Sequence, residues 1–379
     1  MGGVLPRWLV PPRWLVSLGI AVGLATFTCD AKADRILRRA AQPIDGVEVT
    51  LEDYREVRHR RASGPEQTIE ASKVAAIEYD DTPAAYTEAV SALAQGNYEN
   101  AIATFKLAAQ QKTKHDWVKE YAALGTAQAL KRWAGTQKSR YADAIAAYKA
   151  FTKDYPKSRF YAEAQFDLGE CESLSGSLEA AVKTFDTLRE WAFNERIGVE
   201  LEIKALDAIA DAYLANAKAS EARAAFNRVG SFATAQAEKA KDDLLKALLR
   251  GYAERASLKE GEILLLERKY PEAERFFEKL LNDASLAPDV RAAGLNGIGE
   301  CQFAQSDYKK AQLSFARARV IYFNEKVQAA KATYFLGKCA LALGDREPDG
   351  PSRAREYFTE VVERFPNTEW AAKARGELK

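Results

Sequence analysis

One short phrase recurs along this chain. Leu168-Gly169-Glu170-Cys171, Ile298-Gly299-Glu300-Cys301 and Leu336-Gly337-Lys338-Cys339 are three copies of it. Each is followed by an alanine and, four residues later, an aromatic: Ala181/Phe185, Ala311/Phe315 and Ala354/Phe358. Self-similarity at a period of about forty residues is the mark of stacked helical repeats. One such unit cannot bury its apolar face alone, so it must lie against copies of itself. The feature therefore predicts a mainly α-helical array that offers a long surface rather than one enclosed pocket.

Anchored on the Ala-x-x-x-aromatic pair, the chain reads as seven helix pairs. The anchors are Ala101/Phe105, Ala144/Tyr148, Ala181/Phe185, Ala222/Phe226, Ala273/Phe277, Ala311/Phe315 and Ala354/Phe358. Residues i and i+4 share a helical face, so the aromatic fills space beside the alanine one turn earlier. A second small residue, Ala89, Gly169, Ala210, Gly261 or Gly299, lies twelve positions before the anchor, where the first helix of the unit should cross the second closely. Gly125 and Gly337 stand further back, which is read as longer turns at Gly135–Arg140 and Asp345–Ser352. Gly96-Asn97-Tyr98 and Arg268-Lys269-Tyr270-Pro271 mark turns, the latter with Pro271 at a helix start where its missing N–H costs nothing. Glu88 and Glu260 replace apolar residues in units one and five, which makes those two degenerate.

This pattern of small residue, turn, alanine, aromatic and terminal proline resembles the tetratricopeptide repeat family from about Thr82 to Lys379. The resemblance implies a right-handed α-solenoid. The junctions Tyr155-Pro156-Lys157-Ser158 and Phe365-Pro366-Asn367-Thr368 are near copies, each a helix stop followed by Ser158 or Thr368 as a candidate N-cap. They look like junctions of exported bacterial members of the family, such as the outer-membrane assembly lipoprotein and the Tol–Pal coordinator. In proteins of this type the first helices line a concave groove. Mapped onto this chain, the groove takes Tyr86, Val90, Leu130, Phe166 and Glu170, then Asp207, Asp211, Glu262 and Asn296, then Glu300, Phe303, Tyr334 and Lys338. Aromatic and aliphatic anchors with interspersed charge suit an extended peptide or a partner helix.

The ends read differently. Arg7 and Arg13 precede an apolar run from Trp14 to Phe27, and Ala31-Lys32-Ala33 supplies a small-x-small cleavage motif. Residues 1–33 are thus expected to be a secretory leader cleaved after Ala33, which predicts an exported, periplasmic or envelope-associated protein. The run falls short of the about 20 apolar residues that span a bilayer, so membrane contact is expected only if the leader stays uncleaved. Acylation of Cys29 would need small residues where Phe27 and Thr28 stand. Residues 34–81 form a separate reading: Val47-Glu48-Val49-Thr50-Leu51 alternates apolar and polar, and Gly46 and Ser63-Gly64-Pro65 are turn signals. A small β-rich subdomain of three to five strands is expected, packed on the first repeat because so short a chain buries too little alone. Thr82 and Pro83 are expected to start the first helix as N-cap and first helical residue. The basic run Arg58-His59-Arg60-Arg61 reads as an edge strand protected by charge, or more sharply as a phosphate contact. Phe232–Ala256 carries leucines at helical spacing and is either an extended helix or a hinge.

Chemistry is sparse. The 55 basic and 54 acidic side chains nearly cancel, so no field favours nucleic acid. His59 and His115 are far apart, no Cys-x-x-Cys occurs, and no glycine-rich loop follows a strand. Cys171, Cys301 and Cys339 share one repeat position and read as buried free thiols; a Cys301–Cys339 disulfide is the alternative. The chain is expected to be a non-enzymatic, cofactor-free scaffold with a protein or peptide partner. The alternative is a cell-wall or carbohydrate-binding accessory acting through the β subdomain. Oligomeric state is left open.

Overall fold

The structure is a computed structural model that describes residues 33–344 and 349–378. The apolar run, Cys29, Ala31 and Lys32 lie outside the described residues, as does the 345–348 portion of the last long turn. The chain divides into two compact units. One holds the residues up to Lys218 with Arg228–Ala253; the other holds Ala219–Asn227 with Glu254 onward.

The first unit begins with five strands: β1 (Asp34–Arg38), β2 (Ile44–Glu52), β3 (Glu56–Arg60), β4 (Gln67–Glu70) and β5 (Val74–Glu78). They pair antiparallel in the order β4-β3-β2-β1-β5. Alternation explains the sheet: Val47, Val49 and Val57 point into the core, while Glu48, Arg58 and Arg60 point away. The basic run is not on an edge. It lies on β3, hydrogen-bonded on both sides, and β4 is the edge. Its outward charges are neutralised locally, Arg60 by Glu48 at 2.9 Å and Arg58 by Glu56, while His59 turns inward and is 3% exposed.

Helices then follow in pairs: α1 (Ala84–Ala94) with α2 (Tyr98–Ala108), α3 (Trp117–Thr136) with α4 (Tyr141–Asp154), α5 (Tyr161–Leu174) with α6 (Leu178–Asn194), and α7 (Val199–Ala215) with α8 (Ala219–Lys239). After α9 (Asp243–Leu258) come α10 (Glu260–Leu266) with α11 (Tyr270–Asn282), α12 (Pro288–Ala304) with α13 (Tyr308–Ile321), and α14 (Lys326–Leu343) with α15 (Gly350–Arg364). The leucine-rich insert forms the end of α8 and most of α9, and the division between the two compact units falls within α9, at Ala253/Glu254. The last described helix, α16 (Glu369–Glu377), buries Trp370, Ala371 and Ala374 against α14 and α15.

The crossing glycines carry the packing. A Cβ on Gly169 would sit 2.6 Å from the Phe185 ring, on Gly261 2.5 Å from Phe277, on Gly299 2.8 Å from Phe315 and on Gly337 2.6 Å from Phe358. Each aromatic belongs to the second helix of the same unit, as the spacing predicts. Gly125 differs. Its Cβ would meet Phe105 of the preceding unit at 2.5 Å, and Gly297 likewise meets Phe277 of the preceding unit at 2.4 Å. Gly125 is thus not a displaced copy of the within-unit glycine; it serves the stacking of one unit on the next. Each aromatic is a knob that can be gripped from either side, so two classes of glycine arise.

Helix starts follow capping chemistry with two departures. Asn97, Asp307 and Thr368 accept from backbone N–H groups of Asn100, Lys310 and Ala371. Pro83, not Thr82, holds the N-cap position of α1, and the Thr82 hydroxyl donates to the Tyr79 carbonyl at 2.6 Å. Ser158 is not the N-cap of α5, which is Phe160; its hydroxyl accepts from Phe160 N–H and reaches Glu120.

The sheet shares one core with the first helices. Ile36, Val47, Val74 and Tyr79 pack in a cluster with Tyr86, Phe105, Trp117 and Val118. A buried polar network ties it further along. Glu52, at the end of β2, accepts from Tyr79 Oη at 2.7 Å and Tyr121 Oη at 2.8 Å, and it pairs with Arg159 just before α5. Both charged side chains are less than a tenth exposed. Beyond it the β2–β3 turn reaches unit three: the Tyr54 ring lies 5.0 Å from Trp191, and Tyr54 Oη donates to Glu195 at 2.9 Å. The sheet therefore covers the edge of units one to three where first helices begin and second helices end.

Candidate interaction face

Within each compact unit the first helices lie side by side, α3 against α5 and α5 against α7 in one, α10 against α12 and α12 against α14 in the other, and the faces they share are where the groove residues were expected. Two of them are instead core. Tyr86 is 9% exposed among Phe105, Trp117 and Tyr121, because α1 lies under the sheet. Asn296 is fully buried, its amide donating to the Gln328 carbonyl at 3.0 Å and side chain at 2.9 Å, so it latches α12 to α14. Val90 and Leu130 are half-buried. Asp207 and Asp211 lie half-buried on α7 and have partners of their own.

In the first unit, Lys131 on α3 pairs with Asp167 at 2.6 Å and with Glu170, both on α5. Burial opposes its charge, but the two carboxylates outweigh it and raise its pKa. Tyr148 of α4 donates to the other Asp167 oxygen at 2.8 Å. Phe166 sits 5.4 Å from Phe185 and carries the Lys204 ammonium 3.8 Å over its ring. Burial pushes the Lys204 pKa down and that of Glu163 up.

The second unit repeats the scheme. Buried Lys331 on α14 pairs with Glu300 on α12 and lies 5.5 Å from the Trp370 ring centre. Lys259 holds Glu262 at 2.9 Å, and despite burial Lys259 and Lys331 together lower the pKa of that carboxyl. Tyr334 and Lys338 both reach Glu377 on α16, at 3.0 and 2.9 Å. Phe303 lies between Tyr308 and Phe335, at 5.2 and 5.8 Å. Phe166, Phe303 and Tyr334, placed in the groove by their repeat positions, each rest against second-helix aromatics and are half-buried. Each compact unit thus carries half-covered rings set among charges already paired across neighbouring helices.

Sequence reasoning missed Lys131, Lys204, Trp370 and Glu377. Their signal is faint: the matching charge stands about one repeat further along, as in Lys131 with Asp167 or Lys338 with Glu377, and only the stacking makes such pairs neighbours.

Among the described residues no three His, Cys, Asp or Glu side chains could hold a metal ion. Cys171, Cys301 and Cys339 are unpaired and buried, and burial pushes each thiol up to about 12. These three thiols should resist a disulfide reagent at pH 8 in the folded protein and react only in denaturant; a native burst from any of them would contradict this packing. Among the described residues no helix is long and apolar enough to cross a membrane.

Residues 137–195, spanning α4 to α6, match the model of the tetratricopeptide repeat family. Within that stretch the chain carries tetratricopeptide-type helices. Among solved structures, the tetratricopeptide array is similar to a tetratricopeptide repeat protein from Parabacteroides merdae, at 17% identity over 78% of this chain and 96% of that one, with a TM-score of 0.42. It is also similar to a Rap protein complexed with competence and sporulation factor, at 13% identity over 77% and 79%, TM-score 0.41. The apo form of RapI aligns at 14% identity over the same shares, TM-score 0.38. No curated protein matches the sequence.

Proposed function

We propose that this chain is an exported, non-enzymatic tetratricopeptide scaffold of the cell envelope that binds a protein partner, as an extended peptide or a helix, along its first-helix face. The observation that carries the reading is the set of half-buried rings on first helices, Phe166 in one compact unit and Phe303 and Tyr334 in the other, each held by neighbouring side chains yet partly exposed. Rigid aromatics so placed are the residues from which interfaces draw most of their energy. The paired charges around them fix direction and register without a free charge having to be desolvated. Export rests on the leader-like residues 1–33. The cell-wall alternative would need an open recognition surface on the sheet, whereas the outward side chains of β2 and β3 pair with one another and Tyr54 is turned onto Trp191.

The test uses alanine variants of Phe166 and Phe303 in the full chain, with melting and partner affinity measured on the same samples. A partner identified by cross-linking in the native envelope should bind at least about thirtyfold more weakly, about 2 kcal/mol, to variants that remain folded. Unchanged affinity in both folded variants would rule the face out.

A further inference from the structure

A stretch of unit three is written again in unit six. Phe185, Arg189 and Phe193-Asn194-Glu195-Arg196-Ile197 recur, 130 positions on, as Phe315, Arg319 and Phe323-Asn324-Glu325-Lys326-Val327. Both copies leave the second helix and lead into the next first helix; α13 ends at Ile321, about one turn earlier than α6, so Glu325 directly precedes α14.

The unit-three copy is occupied. Tyr54 of the β2–β3 turn packs edge-on against Trp191 at 5.0 Å, and its hydroxyl and the Arg55 guanidinium both bond one oxygen of Glu195. An aromatic and an arginine, adjacent in a turn, thus satisfy the apolar residue and the acid at this edge.

The unit-six copy keeps the acid, carries the aliphatic Ile321 where Trp191 stands, and has no occupant among the described residues. Ile321, the counterpart of Trp191, is 60% exposed, with Val320 at 71% and Phe323 at 61% beside it. Next to them opens a cavity of about 240 Å³, walled by Val320, Phe323 and Phe365 and by Arg319 and Glu360, which pair at 2.8 Å. The Glu325 carboxylate, counterpart of Glu195, is half-buried and has no hydrogen bond or ion pair among the described residues. Contiguous exposed apolar side chains at the rim of a cavity mark an interaction surface. A free acid at that rim calls for a cation.

We infer that the edge formed by Ile321, Phe323 and Glu325 is a docking surface for a partner protein's turn that presents an aromatic side chain next to an arginine. The ring enters the cavity against Phe323, and the guanidinium meets Glu325. The occupant is not the chain's own turn, which is spent on unit three. A second copy is no better supplied, because its turn is spent in the same way. This surface is separate from the first-helix face and stands or falls independently of it.

A disulfide-closed, fluorescein-labelled peptide copying the turn from Val49 to Arg58 serves as the probe, titrated into the full chain by anisotropy. It should bind the parent saturably. Phe323→Asp, at an exposed position, and Glu325→Lys, at a half-buried one, both checked by melting, should weaken binding at least tenfold, and so should a probe with alanine in place of tyrosine. Phe193→Asp should leave the affinity unchanged. Absence of binding, equal affinity in the unit-six variants, or loss in Phe193→Asp alone would overturn the inference. So would sedimentation showing that Phe323→Asp turns a dimer into a monomer, since the face would then belong to a second copy.

Discussion

Glu52→Ala should destabilise the first unit by about 3–5 kcal/mol, the usual result of stripping one partner from a buried ion pair. Arg159 would keep its charge at a site less than a tenth exposed, losing its ion pair and keeping the Tyr121 hydroxyl at 3.2 Å and the Phe160 ring at 4.4 Å. The hydroxyls of Tyr79 and Tyr121 would lose their acceptor as well. Urea unfolding followed by circular dichroism measures the loss. Because the pair links β2 to the start of α5, the sheet and units one to three should weaken together. Replacing both partners at once, Glu52→Met with Arg159→Met, should recover much of the loss, because the cost lies in the orphaned charge rather than in the missing attraction. A loss below about 1 kcal/mol for the single variant would mean that the network is solvated and the sheet only loosely attached.

The second large effect concerns the crossings. Gly169→Leu and Gly299→Leu should each cost about 1–3 kcal/mol or more by overpacking, since even a Cβ would lie 2.6 Å from Phe185 or 2.8 Å from Phe315. The ring cannot yield easily: Phe185 and Phe315 are at most 2% exposed. Gly135→Ala gives the contrast. That glycine is near the end of α3 with nothing within 4 Å of the added carbon, so the change should be neutral or stabilising by up to about 1 kcal/mol. Equal melting of Gly169→Leu, Gly299→Leu and the parent would contradict the crossings.

Much of this architecture is legible in the sequence because it is local and periodic. The Ala-x-x-x-aromatic pairs place the second helices, the glycines at Gly169, Gly261 and Gly299 place the crossings, and period-two alternation at Val47 and Val49 places a strand. What escapes is what depends on stacking over distance. Gly125 looks like a displaced member of its own unit, because spacing cannot say which neighbouring helix supplies the ring. Arg58-His59-Arg60 suggests an edge strand, because a paired outward face and an unpaired edge carry the same charges. Tyr86 is assigned to the groove by its repeat position, yet the sheet buries it; Asn296 occupies an open-face position but is drawn in by Gln328. The candidate face is the less legible part. Its rings could be named, but their lysine and glutamate partners lie a whole repeat away.

The central claim is that partners meet the first-helix face, and photo-cross-linking tests it most directly. A photoreactive side chain would replace Phe166, Phe303 or Val90 on first helices in one series, and exposed Lys183, Leu313 or Glu356 on second helices in the other. Illumination in the native envelope, followed by mass spectrometry, should give one partner from the first series at several positions and little from the second. The same partner captured mainly from the second-helix positions, with the first-helix positions silent in folded protein, would contradict the account.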